Sequence, residues 1–406
     1  MGTSRPTTTL AASSSTQRTA APSSSILARD AVASSNMNSW RFAWRLSALT
    51  LFPRQSTGQG RRGIADPLTL FPRQSTSLPN PMPIAFSGIQ PSGDIHIGNY
   101  LGALRNWVRL QDDHDCIYCV VDLHALTSAR PPAELAAARL ATAKTLLAVG
   151  VDPERSLLYF QSEVPQHAEL AWVLGTLTHL GFLNRMTQFK EKSDKTGANL
   201  GLYAYPVLMA ADILVLRADR VPVGEDQIQH LELARDLAER FNSRFGGEFP
   251  LPEAVVPPVG ARIMSLKDPT QKMSKSEADP MSCVLLNDPP ELIRRKFARA
   301  VTDSDREIRY APKHKPGVSN LLEILSLFSG RAIAEIEAEH ASSSYQALKQ
   351  AVGEAVVEGL APIQTAYTGL SDAEVARMLA EGAAEARARA EPLQARVRKL
   401  VGLHLP

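Results

Sequence analysis

Two short segments of this chain carry the residue types that proteins use to hold phosphate groups. The first, FSGIQPSGDIHIGN at 86–99, is a glycine-rich turn that runs into a predicted helix near His96. Glycine lets the backbone approach a ligand closely, and the free N–H groups of a helix N-terminus attract anions. The segment is neither GxGxxG nor a Walker loop, so a dinucleotide fold and a P-loop enzyme are not indicated. On these grounds alone, a phosphate site and an ordinary tight turn remain equally good interpretations.

The second segment is the predicted loop QKMSKS at 271–276. Its two ammonium groups and two hydroxyls can stabilise phosphate oxygens as these gain negative charge. They belong to Lys272, Ser274, Lys275 and Ser276. A lone pentamer of this kind is usually a solvated loop. Together with the glycine-rich turn, about 175 residues earlier, it predicts a protein that holds a polyphosphate from two sides.

The residues around these segments alternate between strand and helix patterns. The strand candidates are IAFSGI, CIYCVVDLHAL, RSLLYFQS and RVPVG. Between them lie helical patterns such as HIGNYLGALRNWVRL and AELAWVLGTLTHLGFL, with apolar residues three to four positions apart. This rhythm predicts an α/β fold with a Rossmann-like, doubly wound parallel sheet and helices on both faces. Such sheets bind ligands at the carboxyl ends of their strands, where the strand order reverses.

The alternation stops after about residue 263, and residues 289–400 show only helical patterns. We therefore expect an α/β domain at 81–263, the KMSKS loop and a helical domain at 264–374, and a terminal helix at 375–406 that packs back on the first domain. The fold class is thus α/β with an all-α C-terminal domain. Two Ala-, Glu- and Arg-rich helical segments are expected after residue 371. Pro392 is expected to start or kink the last helix, because proline lacks the N–H that a helix interior uses.

Residues 1–80 differ in composition from the rest of the chain. They contain nine Arg, no Lys and two acidic residues, a net charge of +7, which leaves −5 for 81–406. An Arg- and Ser-rich, acid-poor N-terminus is typical of an organelle transit peptide, although a merely disordered tail is the alternative. The repeat LTLFPRQST at 49–57 and 68–76 indicates a local duplication. No segment reaches the length of about 18 apolar residues expected of a membrane span. We expect import into a mitochondrial matrix or a chloroplast stroma.

The three cysteines give no disulfide framework. Cys116 and Cys119 have CxxC spacing but lie in a predicted buried strand, which would send the two thiols to opposite faces. We therefore expect neither a redox pair nor a metal site in this protein.

In this architecture, HIGN at 96–99 and KMSKS at 272–276 resemble the HIGH and KMSKS signatures of the class I aminoacyl-tRNA synthetases. Longer segments are similar to the bacterial-type tryptophanyl-tRNA synthetases, almost continuously from about 84 to 325. They include VDLHALT, QSEVPQHAEL, RMTQFKEKS, YPVLMAADIL, VPVGEDQIQHLEL, GARIMSL, AVTDS and KPGVSNLLEI. With the N-terminal composition, the resemblance implies an organellar form of this enzyme family.

The resemblance implies roles for individual residues in binding ATP. Those expected to act on its phosphates during catalysis are His96, Asn99, Lys192, Lys272, Ser274 and Lys275. The wider ATP site would comprise Gln90, Ser92, Gly98, Asn99, Gly224, Asp226, Met264, Lys272 and Ser276. Within that set, Gln90 would meet the α-phosphate, Asp226 the ribose and Met264 the adenine.

The same resemblance implies a tryptophan pocket. Its residues would be Phe86, Gly88, Val121 (or its neighbour Val120), His124, Tyr205, Met209, Asp212 and Gln227. Indole N–H is only a donor, so the pocket needs an acceptor, and the resemblance assigns this role to Asp212. Without the family, a helix-packing or surface carboxylate is the simpler interpretation of Asp212, and a buried core histidine is the alternative for His124. Two positions depart from the family pattern: Leu123, where Gln is expected, and Glu277, where Asp is commoner.

The implied reaction is ATP-dependent activation of tryptophan, followed by transfer to the terminal adenosine of tRNA(Trp). Mg²⁺ would be carried by ATP, and the protein would be a homodimer with no membrane contact. The helical domain is expected to read the anticodon, since basic residues concentrate there and at the C-terminus. These are Arg294, Arg295, Lys296, Arg299, Lys313, Lys315, Arg387, Arg389, Arg396, Arg398 and Lys399.

Three other functions compete with this one. A tyrosyl-tRNA synthetase would need a second polar reader beside Asp212, and LMAADIL offers none nearby. Small nucleotidyltransferases with a HIGH-type signature lack the long helical domain. A catalytically retired tRNA-binding paralogue has no reason to keep Lys192, Asp226 and the KMSKS residues together.

Overall fold

The computed structural model describes residues 82–128, 130–186, 199–224, 227–255, 262–275, 277 and 279–404. The strands in these residues are β1 (Ile84–Ile89), β2 (Asp115–Val120), β3 (Ser156–Phe160), β4 (Arg220–Pro222) and β5 (Glu253–Val255). The helices up to the sheet's last strand are α1 (Ile97–Asn99), α2 (Arg105–Leu110), α3 (Asp122–Ala125), α4 (Pro132–Val149), α5 (Gln166–Gly175), α6 (Leu180–Leu183), α7 (Leu200–Leu214) and α8 (Ile228–Phe245). The later helices are α9 (Pro290–Ala298), α10 (Pro316–Ser329), α11 (Ile333–His340), α12 (Tyr345–Gly369) and α13 (Asp372–Leu400). A π-helical segment, Tyr100–Leu104, joins α1 to α2, and a 3-10 turn, Gln161–Glu163, follows β3.

The five strands form one parallel sheet in the order β3-β2-β1-β4-β5. β1 and β2 pair along their whole length, from Ile84 opposite Asp115 to Ile89 opposite Val120. The predicted α/β fold with a doubly wound parallel sheet is therefore confirmed. Because β2 and β4 lie on opposite sides of β1, the strand order reverses there, and the carboxyl ends of these strands are the expected place for a ligand.

Buried apolar side chains explain the sheet and the helices that cover it. β3 is buried along its whole length, and five of the six residues of β2 are buried. Strands buried on both faces need helices above and below them. One apolar cluster joins Phe86 and Ile117 of the sheet to Leu170 of α5, Ile213 of α7 and Leu237 of α8. Because these helices pack on the sheet through one apolar cluster, they fix the positions of the strand ends at its carboxyl edge.

The helices after residue 289 form a second layer of packing. α9 and α10 both pack on α12, while α13 returns to lie against β3, α4 and α5. Two arginine pairs tie α13 to the sheet region: Arg389 to Asp115 at 2.8 Å and Arg398 to Glu169 at 2.6 Å. A capping box between Ser371 and Glu374 begins α13. Among the residues that the structure describes, none of the helices is both long enough and apolar enough to span a membrane.

Four local predictions differ from the structure. The helix expected over 168–183 is two helices, α5 and α6, which are separated at 176–179. The strand expected over CIYCVVDLHAL ends at Val120, because Asp122 turns to accept from the backbone N–H and the hydroxyl of Ser162. The short edge strand β5 has no apolar alternation that could have revealed it. After residue 371 there is one helix instead of two segments, and Pro392 lies inside it without starting it.

Candidate active site

The predicted amino acid pocket lies at the carboxyl ends of β1 and β2. Phe86 and Gly88 belong to β1, Val121 follows β2, His124 lies on α3, and Tyr205, Met209 and Asp212 share α7. A Cβ atom on Gly88 would come within 2.9 Å of Cγ1 of Val121. Of the two predicted valines, Val121 is therefore the one that contacts Gly88, and any larger residue at 88 would have to displace it.

Asp212 is almost completely buried, with only 1% of its surface exposed. Nε2 of His124 lies 2.8 Å from its Oδ2 atom, and Nδ1 of His167 lies 2.8 Å from its Oδ1 atom. The amide nitrogen of Gln161 donates to Oδ1 at 2.6 Å. The carboxylate is thus held by three polar side chains from α3, α5 and the turn after β3.

These contacts decide the charge of Asp212. Burial alone would raise the pKa of its carboxyl group, because a low-dielectric interior disfavours the ionised form. The hydrogen bond from His124 and the close imidazole of His167 outweigh burial and hold the pKa well below its usual range. Asp212 is therefore an ionised acceptor at neutral pH, which is the group that an N–H donor such as indole requires.

Two of these partners, Gln161 and His167, were not predicted as site residues. Both are fully buried, and the Tyr159 hydroxyl lies 3.0 Å from Nε2 of His167. Gln161 also accepts from the backbone N–H of Leu123 at 3.1 Å. The sequence signal was their place in QSEVPQHAEL, where Gln161 is near the end of the predicted strand RSLLYFQS and His167 follows that strand. The departure at Leu123 leaves the contact between His124 and Asp212 in place.

The rings of Tyr205 and His230 lie beside His124. The hydroxyl of Tyr205 lies 2.8 Å from Nε2 of His230, and its ring stands edge-on to the ring of His124 with centroids 6.2 Å apart. Gln227 lies at the start of α8, where its N–H donates to Gly224 O at 2.9 Å. Gly224 follows β4, so it lies at the carboxyl edge of the sheet, and Gln227 is bonded to it.

The HIGN segment forms a capping box at the start of α1. The N–H of Asn99 donates to Nδ1 of His96 at 3.3 Å, and the N–H of His96 donates to Oδ1 of Asn99 at 3.4 Å. Because Nδ1 accepts, the ring proton of a neutral His96 is on Nε2. Gly98 is needed beside this ring, since a Cβ there would lie 3.0 Å from two His96 ring atoms.

His96 is neutral at physiological pH. Burial, together with the positive charges of Lys272 and Lys275, lowers its pKa to about 4. Both lysines belong to the KMSKS loop, which is far from the HIGN segment in the sequence. A neutral His96 can donate a hydrogen bond to a phosphate without adding a charge of its own.

Direct contacts also join the two signature segments. The ammonium group of Lys275 donates to the backbone oxygen of Ser92 at 3.2 Å and lies 3.8 Å from the carboxylate of Asp94. It is also 2.9 Å from the position that a Cβ on Gly93 would take, where φ is +90°. The glycine-rich turn, in which the N–H of Ser92 donates to Gln90 O at 2.7 Å, therefore lies directly under the KMSKS loop.

The base of this loop is held by backbone pairing. Met264 and Lys272 form an antiparallel bridge, and the N–H of Met273 donates to Ile263 O at 3.0 Å. Glu277 accepts from the hydroxyl of Ser265 at 2.9 Å, so its side chain supports this hairpin. Met264, predicted to line the adenine pocket, is thereby fixed relative to Lys272. Lys192, Asp226 and Ser276 lie outside the described residues.

Several basic residues predicted to contact tRNA are engaged within the protein instead. Lys296 and Lys315 are buried, paired with Asp288 at 2.6 Å and with Asp303 at 3.2 Å. Arg294 pairs with Glu354 at 2.8 Å. At the C-terminus, Arg387, Arg389, Arg396 and Arg398 contact Glu163 O, Asp115, Glu248 and Glu169. The C-terminal arginines therefore attach α13 to the rest of the chain. Arg295, Arg299, Lys313 and Lys399 are exposed.

The cysteines lie in the core, as their sequence context suggests. Cys116 and Cys119 are buried in β2 as free thiols, and burial raises the pKa of Cys116 to about 11. Within the described ranges, no group of three or more His, Cys, Asp or Glu side chains is arranged to hold a metal ion. The site can therefore offer an anion-binding loop and an ionised acceptor from its own described residues.

Comparison with known proteins agrees with this geometry. Residues 79–361 match the family of class I tRNA synthetases (W and Y). The tryptophan–tRNA ligase of Caldanaerobacter subterraneus subsp. tengcongensis is 53% identical over 321 residues, which cover 79% of this chain and 98% of the relative. That of Wolinella succinogenes is 50% identical over 322 residues, 78% of this chain and 98% of the relative.

A solved structure shares the fold as well. The tryptophanyl-tRNA synthetase of Campylobacter jejuni, in complex with ADP and tryptophan, has a TM-score of 0.70 and 32% identity, covering 79% of this chain and 100% of that one. The sheet order, the meeting of the HIGN and KMSKS segments and these relatives agree: the chain belongs to the class I tRNA synthetases of the W and Y family, as a bacterial-type tryptophanyl-tRNA synthetase.

Proposed function

We propose that this protein activates L-tryptophan with ATP and transfers it to the 3′-terminal adenosine of tRNA(Trp). One observation carries the proposal: the Lys275 ammonium group lies over the glycine-rich turn, at the same sheet edge as the ionised, buried carboxylate of Asp212. The loop suits a polyphosphate, and the carboxylate suits an N–H donor in an apolar pocket. Each relative cited above is named for tryptophan.

The first step joins tryptophan to AMP. A carboxylate oxygen of tryptophan attacks the α-phosphorus of ATP, and the bond from that phosphorus to the bridging oxygen breaks, releasing pyrophosphate. The protein supplies position and charge without a nucleophile of its own. Lys272 and Lys275 offset the charge on the leaving pyrophosphate, Lys192 reaches the same phosphates, and Mg²⁺ is carried by ATP.

The second step transfers the tryptophanyl group to tRNA. The 2′-hydroxyl of the terminal ribose attacks the carbonyl carbon of the adenylate, the bond to the phosphate oxygen breaks, and AMP leaves. Asp212 orients the indole ring by accepting its N–H, while Gln227 holds the amino group and Asp226 the ribose of ATP. The exposed basic residues of the helical region contact the tRNA.

A tyrosine substrate is the nearest alternative. LMAADIL itself offers no second polar reader beside Asp212, but His124, Gln161 and His167 reach the carboxylate from other elements. All three contact the Asp212 carboxylate itself. The structure therefore favours a single ionised acceptor for an indole N–H, and the activity assay has to include tyrosine.

The deciding experiment is amino-acid-dependent ATP–pyrophosphate exchange with purified residues 78–406. We expect exchange with tryptophan but not with tyrosine or phenylalanine, and its loss in Lys275→Ala. Exchange with tyrosine alone would mean that the pocket is misassigned. A folded protein that binds tRNA but exchanges with no amino acid would instead be the retired paralogue.

We also propose that the enzyme serves translation in an organelle, supported by the basic, acid-poor composition of residues 1–80. A fluorescent protein fused behind residues 1–80 should accumulate in mitochondria or chloroplasts. A variant of this fusion with every Arg in 1–80 replaced by Gln should stay in the cytosol. Cytosolic signal from both fusions would overturn the assignment.

A homodimer is the third part of the proposal. Trp172 on α5 is 78% exposed, and Leu180 on α6 and Leu200 on α7 are 66% and 79% exposed. Large exposed apolar side chains on helices that pack together are typical of an interface. Light scattering should give the mass of a dimer for the wild-type protein and of a monomer for Trp172→Glu. A monomeric wild-type protein at assay concentration would refute this part.

A further inference from the structure

Asn320, on α10 of the helical region, holds the backbone of Met264 with both ends of its side-chain amide. Its Oδ1 atom accepts from the Met264 N–H at 2.9 Å, and its Nδ2 atom donates to Met264 O at 3.0 Å. Asn320 is only 3% exposed. A side-chain amide has one acceptor oxygen and two N–H donors. It can therefore make the two hydrogen bonds that a neighbouring strand would make to the backbone of one residue. An apolar side chain at position 320 would leave the N–H and the C=O of Met264 without these partners, which would lower the free energy of unfolding.

The residue that Asn320 holds belongs to the hairpin that supports the KMSKS loop. Met264 bridges Lys272, and the N–H of Ser265 donates to Gln271 O at 2.9 Å. Displacing Met264 would therefore move Lys272 and the residues that follow it. Lys275 reaches Ser92 O from this loop. A chain of direct contacts thus runs from Asn320 to the phosphate side of the site.

The other end of α10 contacts the segment that follows HIGN. Nη1 of Arg105 donates to Leu327 O at 2.7 Å, and the rings of Tyr100 and Phe328 lie 6.3 Å apart. One helix of the helical region therefore contacts both the residue that pairs with the KMSKS loop and the segment that directly follows HIGN.

We infer that Asn320 is a positioning residue that fixes Met264 and the KMSKS loop relative to the HIGN segment, and so couples the helical region to ATP binding. The inference rests on the proposed function for its kinetic readout. It does not concern the tryptophan pocket, which lies on α3 and α7. Loss of the Asn320 contacts should weaken ATP binding selectively.

The chain offers a matched control in Asn242 on α8. Its amide makes the same pair of bonds to Phe249, since Nδ2 donates to Phe249 O at 2.8 Å and Oδ1 accepts from the Phe249 N–H at 3.0 Å, and Oδ1 also accepts from the Glu248 N–H at 2.9 Å. Phe249 is in the loop before β5, away from both signature segments. Asn242→Ala therefore removes equivalent bonds without touching the ATP site.

The test compares Asn320→Ala with Asn242→Ala in pyrophosphate exchange. We expect Asn320→Ala to raise KM for ATP about tenfold, which corresponds to about 1.4 kcal/mol, and to leave KM for tryptophan within about twofold. Asn242→Ala should lower Tm but leave both KM values within about twofold. A KM for ATP that stays near the wild-type value in folded Asn320→Ala, or an equal rise in the control, would overturn the inference.

Two further measurements make the outcome independent of folding and of the proposed activity. If Asn320→Ala does not fold, Asn320→Asp keeps the shape and the acceptor but loses the donor, and should still raise KM for ATP. Hydrogen exchange should be faster at the Met264 and Met273 amides in Asn320→Ala but not in Asn242→Ala. The dissociation constant of ATP, measured without amino acid, should rise together with KM for ATP in the Asn320 variants. Failure of tryptophan-dependent exchange in the wild-type protein would sink the proposed function, while an unchanged ATP affinity would sink this inference alone.

Discussion

Asp212 is a buried carboxylate whose negative charge is supported by three side chains that lie far from it in the sequence. Burying such a charge without partners would cost several kcal/mol, so the site exists only because His124, Gln161 and His167 compensate it. The arrangement keeps an acceptor ionised in an otherwise apolar pocket. A substrate with an N–H donor gains a further charge-assisted bond there, which an isostere without the donor cannot make.

Asp212→Asn should weaken tryptophan recognition. The amide is a neutral and poorer acceptor, so we expect KM for tryptophan to rise about 10- to 100-fold with KM for ATP unchanged. Asp122→Asn is the control, because Asp122 is also buried but bonds Ser162 and Arg139. It should lower Tm without changing KM for tryptophan. Exchange kinetics with each substrate varied separately measure both, and an unchanged KM in Asp212→Asn would remove Asp212 from the pocket.

His96 predicts a dependence of stability on pH. Its pKa is about 4 in the folded chain, against an ordinary value of 6.5. Between these values the unfolded state binds a proton that the folded state does not, so stability falls as pH falls from 6.5 to 4. We expect this residue to account for about 3 kcal/mol of that loss. His96→Gln should reduce this loss of stability. Urea unfolding of the wild-type protein and of the variant, first at pH 7.5 and then at pH 4.5, measures it. Parallel losses in both proteins would contradict the assignment.

Among the helices, α13 shows how closely the C-terminus is fitted to the sheet. A Cβ atom on Gly382 would lie 2.2 Å from Leu158 O of β3, so the backbones of α13 and β3 are nearly in contact. Arg389 and Arg398 fix the helix along its length. The helix also continues through Pro392, because packing against β3, α4 and α5 offsets the hydrogen bond that proline cannot make.

Gly382→Ala should destabilise the protein, although the same change in an exposed helix usually stabilises it by up to about 1 kcal/mol. The added methyl group has to displace backbone, so we expect a loss of about 2–3 kcal/mol in the free energy of unfolding. Gly247→Ala, where no atom lies within 4 Å of the added Cβ, should be nearly neutral. Urea unfolding of both variants decides. A stabilised Gly382→Ala variant would show that α13 does not pack as described.

Taken as a whole, the part of the chain after residue 80 carries a net charge of −5 and still has to bind an anionic tRNA if the proposed function holds. Many of its basic side chains already form internal ion pairs. On α9, Arg294 is paired with Glu354 and Lys296 with Asp288, while Arg295 and the following Arg299 are exposed one turn apart. Local exposed patches, and not net charge, must therefore supply the phosphate contacts.

Replacing both Arg295 and Arg299 by Ala should separate the two steps of the reaction. We expect KM for tRNA to rise several-fold and the slope of log affinity against log salt to fall by about 1 to 2, with pyrophosphate exchange unchanged. Arg294→Ala on the same helix is the control and should leave the salt slope unaltered. Aminoacylation and exchange assays at several salt concentrations test this. An unaltered KM for tRNA in the double variant would place the tRNA elsewhere.

Local sequence patterns were sufficient for the alternation of strands and helices, for the residues of the two signature segments, and for the helical region after 289. These features depend on side-chain periodicity, glycine positions and capping, which act over a few residues. Prediction failed where contacts with other elements decide the local structure. The examples are the break between α5 and α6, the edge strand β5, and the continuation of α13 through Pro392.

The charge of Asp212 could not be read from LMAADIL, because its partners come from positions up to 88 residues away and only the fold brings them together. For the same reason, composition could not separate arginines that bind α13 to the sheet from those free to meet a partner. The sequence alone therefore decided which chemical groups the site can contain. The tertiary structure alone decided their protonation, their contacts and their distances, since these depend on burial and on neighbours that are remote in the chain.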